Sequence, residues 1–257
     1  MRSRELWETR PATPEDVLEL LRDDLRHRAG WDPEVDGGAT LTFDTPVAEW
    51  MDAGDLLTSW KALAPALNDW LGVDFAPEAW RGLLSPRSRP LGHLCAHVAS
   101  HLRIPVLPAL RVAGTACATA GAFLTLRTAL VRAGLPVAGA RPSARLPLDT
   151  WAQLDTFTRA VTRLAPGVLP AAKVRVDRTR SRCGWAFMGG LALTLLGGSS
   201  LGGAPGVLGG LLLAGGLLGL WLTRNAPPED IRFEGLSTLG DVARALAARR
   251  VVESPPC

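Results

Sequence analysis

Between Cys183 and Thr223 the chain carries no Asp, Glu, Lys, Arg or His, and no other stretch limits its possible folds as strongly. Two apolar runs, Gly184–Ser199 and Val207–Thr223, flank the turn-like Gly202-Gly203-Ala204-Pro205-Gly206. A membrane-spanning helix needs about 20 apolar residues, because a rise of ~1.5 Å per residue must cross a core of about 30 Å. Two such spans use nearly the whole stretch, so the sequence predicts a two-helix transmembrane hairpin over 183–223. The alternative is a hairpin buried inside a helical core. Core helices this long show a polar stripe toward water, and here only Thr194, Ser199, Ser200 and Thr223 are polar. Composition therefore favours the membrane.

Charge orients the hairpin. Lys173, Arg175, Arg178, Arg180 and Arg182 precede it with only Asp177 against them, and Arg224 follows. Basic flanks stay cytoplasmic. The expectation is a multi-pass protein of the cytoplasmic (inner) membrane, both termini cytoplasmic, with the lipid bilayer as a partner. Arg178, Arg180, Arg182, Trp185, Trp221 and Arg224 are the expected membrane-interface residues. Within the hairpin Gly198, Gly202, Gly206 and Gly210 recur every fourth residue, as do Gly215 and Gly219. A glycine costs about 1 kcal/mol in an exposed helix, so this density points to close helix packing. Pro205 interrupts the first series and leaves Gly215 and Gly219 as the unbroken pair. Self-packing of the hairpin and a dimer face both fit the pattern.

The remaining composition narrows the function classes. A chain of 257 residues holds one or two domains, and a net charge of +3, concentrated beside the hairpin, argues against a nucleic-acid surface. Cys95, Cys117, Cys183 and Cys257 show no paired spacing, so neither a disulfide framework nor a cysteine zinc site is expected. Met1-Arg2-Ser3-Arg4-Glu5 leads into charged sequence, unlike a secretory signal.

Helical signals fill the first hundred residues. Thr13-Pro14-Glu15-Asp16 supplies a cap, a first-turn proline and acids at the positive helix end, followed by the apolar face Val17, Leu18, Leu21, Leu25. A loop covers Asp32–Thr45, and a second helix is predicted from about Asp55 to Leu71, burying Leu56, Trp60, Leu63, Leu67 and Trp70. A short helical turn starts at Pro77, and another helix runs from Pro90 to Leu102 with the stripe Leu91, Leu94, Val98, Leu102. Val112–Leu126 is uncharged but too short to span, which reads as a buried helix with Phe123, Leu124, Leu126 and Leu130 inward. Of the nine tryptophans, Trp7, Trp31, Trp50, Trp60, Trp70, Trp80 and Trp151 are expected in the core or at domain contacts.

This order of elements, with Leu71-Gly72-Val73-Asp74-Phe75 and then Pro90-Leu91-Gly92-His93-Leu94, resembles the acyl-carrier-protein fold over about Pro14–Leu102. The later phrase Ser237-Thr238-Leu239-Gly240-Asp241-Val242 echoes Arg89-Pro90-Leu91-Gly92-His93-Leu94 at an offset of 148, from Gly92 to Gly240. Thr45-Pro46-Val47 through Trp50 is likewise echoed by Leu146-Pro147-Leu148 through Trp151 at an offset of 101. The difference of 47 between those offsets matches the apolar hairpin with its basic flank. Two carrier-like repeats follow, the second with helices at about Ala118–Gly134 and Leu148–Leu164 and split by the hairpin after its second helix. The expected fold is all-α: carrier-like helical bundles on the cytoplasmic side plus the transmembrane hairpin. Its expected divisions are 1–103, 104–182, 183–223 and 224–257.

The resemblance implies phosphopantetheine on a serine that opens the second helix. Asp55 and, at the 101 offset, Thr156 hold that place here, and Ser59 falls nearly a turn inside the predicted helix. His93, His97 and His101 share one helix face, and imidazoles four residues apart can co-ligate zinc. Without a following Glu or a distant ligand, a solvated or partner-facing stripe is the competing reading. No catalytic residue, no cofactor and no soluble substrate is indicated. The expected role is a non-enzymatic membrane-anchored accessory or scaffold subunit, with other membrane-complex subunits as partners. The alternatives are a membrane-perturbing effector with an inserting Gly-rich hairpin and a membrane-tethered acyl carrier.

Overall fold

Thr13 and Asp16 cap each other at the start of α1 (Pro14–Arg28): the Asp16 N–H donates to Thr13 Oγ1 at 3.3 Å, and the Thr13 N–H donates to Asp16 Oδ2 at 2.8 Å. Such a reciprocal cap contributes about 1 kcal/mol. The structure, a computed structural model, describes residues 8–56, 59–112, 115–175, 185–192, 194, 211–218, 228 and 230–253. After α1 come α2 (Val47–Ala53), α3 (Trp60–Leu71), α4 (Pro77–Leu84) and α5 (Leu91–Ala99). Their shared core is built on Val17, Leu21, Leu25, Trp50, Trp80, Leu91, Leu94 and Val98. The helix predicted from Asp55 is two helices: Gly54 ends α2, Asp55 takes a left-handed φ of 48°, and α3 begins at Trp60.

One side chain closes the turn that follows. Asn68 Oδ1 accepts from the Phe75 N–H at 3.1 Å and from Trp80 Nε1 at 2.8 Å, while its Nδ2 donates to Phe75 O at 2.8 Å. Gly72, at φ 70°, ends α3 in the left-handed conformation that favours glycine. Of the tryptophans expected inside, Trp50, Trp70 and Trp80 are buried, whereas Trp31, Trp60 and Trp151 are half-buried. Trp7 lies outside the described residues.

A second set of helices comprises α6 (Ala118–Arg132), α7 (Trp151–Leu164) and α8 (Leu239–Glu253). Phe123, Leu126 and Leu130 of α6 are buried, but Leu124 is exposed. The helix starts at Ala118, where the split repeat places its first helix, and a hairpin of strands occupies the front of the apolar run. α5 packs on α1, and α8 packs on α6. The entry to the two final helices is the same. Leu91 N–H donates to Thr45 O and Gly92 N–H to Phe43 O, both at 2.8 Å; Leu239 N–H donates to Ala144 O at 3.0 Å and Gly240 N–H to Pro142 O at 2.7 Å. Isolated bridges join Pro46 to Pro90 and Arg145 to Thr238. These pairs set Phe43 against Pro142, an offset of 99, two short of the register read from sequence.

The fold is not all-α. Among the described residues six short strands form three two-stranded sheets: β1 (Thr9–Pro11) with β2 (Arg103–Pro105), β3 (Leu110–Val112) with β4 (Thr115–Cys117), and β5 (Ala172–Arg175) with β6 (Asp230–Phe233). The first is antiparallel with Arg10 opposite Ile104. Strands of three or four residues are too short to print an alternating pattern in the sequence.

The chain divides into two compact units, one of Met1–Leu148, Ala152–Lys173 and Arg232–Cys257, the other of Asp149–Trp151 and Val174–Ile231. In the smaller unit, residues 185–192 and 211–218 are helical. No helix among the described residues is long and apolar enough to cross a membrane. This overturns the transmembrane hairpin and the multi-pass inner-membrane placement with both termini cytoplasmic. The membrane anchor in the expected function goes with them. Absence of charge shows what a segment avoids, not how far a helix continues through it. Glycine, at about 1 kcal/mol each, works against a long uninterrupted helix.

Candidate functional site

A cavity of about 810 Å³ opens in the larger unit, bordered by α1, the chain after β2, the end of α7 and α8. Leu18, Ile104, Val106 and Leu246 give it apolar walls, and its volume falls within the usual range for small-ligand sites, roughly 300–1,000 Å³. Arg10 grips Asp16 with two hydrogen bonds of 2.7 and 3.0 Å. Burial alone would raise the Asp16 pKa, but the bonds from Arg10 and Thr13 outweigh it and hold the carboxyl below its ordinary range. Arg22 donates to Leu41 O at 3.0 and 2.6 Å and to Glu19 at 3.1 Å. These guanidinium groups are therefore committed within the chain.

Beside the cavity α1 presents a buried polar seam that its apolar stripe hides from sequence reading. Asp23 is 1% exposed and accepts from the Gly167 N–H at 2.7 Å and from Arg26 Nη1 at 2.7 Å. Burial pushes its pKa up to about 6 against those bonds. One turn on, His27 is 3% exposed, edge-on to Phe233 at 6.1 Å, and neither ring nitrogen has a hydrogen-bond partner among the described residues. Burial, helped by the Arg26 charge, lowers its pKa to about 4. Neutral His27 and raised Asp23 thus sit on one helix face with opposite proton demands. Arg163 of α7 adds a further tie, donating Nε to Trp70 O at 2.8 Å and Nη2 to Asp69 O, where the last carbonyls of α3 need donors.

The three candidate histidines separate. His97 and His101 lie with ring centroids 5.2 Å apart and both contact Phe75, while His93 is exposed on the preceding turn. No group of three or more His, Cys, Asp or Glu among the described residues could enclose a metal ion. Cys95 is fully buried, and burial pushes its thiol up to about 12, which removes thiolate chemistry at neutral pH.

Thr156 lies inside α7, half-buried, and Asp55 precedes α3 in a left-handed turn. Ser59, read from sequence as lying within the helix, is instead the exposed N-cap residue of α3, with no cap bond from its side chain. α7 also begins at a tryptophan, Trp151, preceded by the hydroxyl residue Thr150.

Of the predicted interface residues, Trp185 is 76% exposed; Arg178, Arg180, Arg182, Trp221 and Arg224 lie outside the described residues. Gly198, Gly202, Gly206, Gly210 and Gly219 lie outside them as well. Gly215 faces open space, whereas its neighbour Gly216 allows a close approach: a Cβ there would stand 2.6 Å from Phe187 N and 2.7 Å from Phe187 Cα.

Compared with known protein families, with curated proteins and with solved structures, the chain matches none.

Proposed function

We propose that the chain is a non-enzymatic accessory or scaffold subunit of a larger protein assembly. The observation that carries this reading is the set of exposed apolar side chains in the smaller unit: Trp185 at 76%, Leu211 at 67%, Leu218 at 58%, Met188 at 57% and Leu217 at 55%. Several large apolar side chains exposed in one small unit mark a contact site, because each side chain left in water forgoes about 25 cal/mol per Å² of burial. The two helical runs that bear it approach closely at Gly216 and Phe187. Supporting the non-enzymatic part, the buried titratable groups Asp23, His27 and Cys95 are closed off from solvent.

Sizing the native particle from its source under gentle extraction tests the proposal. A reproducible partner is expected, released when Leu217→Glu and Leu218→Glu are combined. A lone monomer would count against it.

A second reading, an acyl carrier, is favoured by Ser59, an exposed hydroxyl at the start of α3 where the carrier resemblance calls for one. Intact-mass analysis after incubation with coenzyme A and a phosphopantetheinyl transferase tests it. An adduct that Ser59→Ala abolishes supports the carrier; an unmodified mass removes it.

A further inference from the structure

His97 and His101 flank the C-terminal turn of α5, both exposed, with ring centroids 5.2 Å apart and planes inclined at 41°. We propose that this pair binds a divalent transition-metal ion of the zinc class. An ion about 2.0–2.1 Å from an imidazole nitrogen lies about 3.2 Å from that ring's centre, so two rings sharing it at a tetrahedral angle have centres about 5.2 Å apart. The observed centroid spacing equals that distance.

Hydrogen bonds set the tautomer of one ligand. Ser100 Oγ donates to His97 O at 2.7 Å, and the same carbonyl lies 3.1 Å from His101 Nδ1. A carbonyl only accepts, so Nδ1 carries the proton, shared with Ser100 Oγ at 2.9 Å. The Nε2 lone pair of His101 is left for a metal, and the opposite ring nitrogen is anchored on a backbone carbonyl, as in metal-ligating imidazoles generally. Phe75, 8% exposed, lies 5.0 Å from the His97 ring and 4.9 Å from the His101 ring and restrains both. The negative end of α5 adds a field that favours a cation.

The site supplies two nitrogen ligands and leaves the other coordination positions to water. Imidazole donors select zinc, nickel or copper over magnesium or calcium, which demand oxygen ligands.

Calorimetric titration of the full chain with zinc chloride tests the site. One ion per chain is expected, lost in His97→Ala and in His101→Ala and retained in His93→Ala. Ser100→Ala, which removes a hydrogen bond orienting the ring, weakens binding about tenfold. Each imidazole also packs on Phe75, so the melting temperature of each metal-free variant is measured first and the titration is run well below it. His97→Gln and His101→Gln serve the same purpose should an alanine variant fail to fold. X-ray absorption of the zinc-loaded chain should show two imidazole nitrogens at about 2.0–2.1 Å. Absence of binding, binding that survives His101→Ala, or equal loss in His93→Ala overturns the assignment, as does magnesium bound equally well.

Discussion

Replacing Asp23 with Asn should expose a proton linkage that the parent chain conceals. The pKa of His27 falls from 6.5 to about 4 on folding, so its contribution is complete above pH 6.5 and is lost as pH falls toward 4. At 1.36 kcal/mol per pKa unit that loss is about 3 kcal/mol. Asp23 runs the other way. Its pKa rises from 3.8 to about 6, so its contribution is complete below 3.8 and is lost as pH climbs through 6, again about 3 kcal/mol. Between pH 6 and 4 the two slopes cancel. Asn at position 23 keeps an oxygen to accept the Gly167 N–H but no longer titrates. Relative to the parent, the variant should lose about 1.4 kcal/mol per pH unit on acidification from 6 to 4. Urea unfolding at half-unit pH steps reads this as a midpoint falling by about 1 M more than the parent's, at a slope near 3 kcal/mol per M. Asp16 and Asp241, both held below the carboxylate range, lose their contributions only below the ordinary 3.8 and are common to both proteins. Parallel pH profiles for the two proteins would refute the reasoning, because burial of Asp23 would then carry no proton.

His27→Leu removes two buried ring nitrogens without partners and should stabilise the chain by about 1 kcal/mol at pH 7, measured by the same unfolding. Asn68→Ala strips three hydrogen bonds and leaves the Trp80 indole N–H and the Phe75 N–H unsatisfied, with an expected loss of about 2–3 kcal/mol and a lower melting temperature. At the matched glycines, Gly240→Ala should cost more than Gly92→Ala. A Cβ meets Pro142 O at 2.9 Å in the first case and Phe43 O at 3.3 Å in the second, so about 1–3 kcal/mol against less than 1, read from denaturant midpoints.

The two phrases around Gly92 and Gly240 enter their helices through the same pair of backbone hydrogen bonds. Each glycine lets a helix start close against a loop carbonyl, and that local requirement is legible because it fixes residue type. The matching loops differ from the sequence register by two residues, since Thr45-Pro46-Val47 and Leu146-Pro147-Leu148 agree in composition but not in which carbonyl accepts. Ser59 differs from its expected place for a related reason: nothing in the sequence around Asp55 announces that this residue turns left-handed and that the helix begins only at Trp60.

Local chemistry, set by sequence alone, placed the α1 cap at Thr13, the apolar stripe of α5 and the α6 helix body, because caps and 3.6-residue periodicity act over one or two turns. Tertiary structure decided what lies far apart in the chain. It chose three-residue strand pairs such as Thr9–Pro11 with Arg103–Pro105, the burial of Asp23 beside Gly167, and the capping of α3 by Arg163. It also decided against membrane-length helices among the described residues of 183–223. Charge-free composition says only that such residues avoid water; what they pack against depends on tertiary contacts that no window of sequence contains.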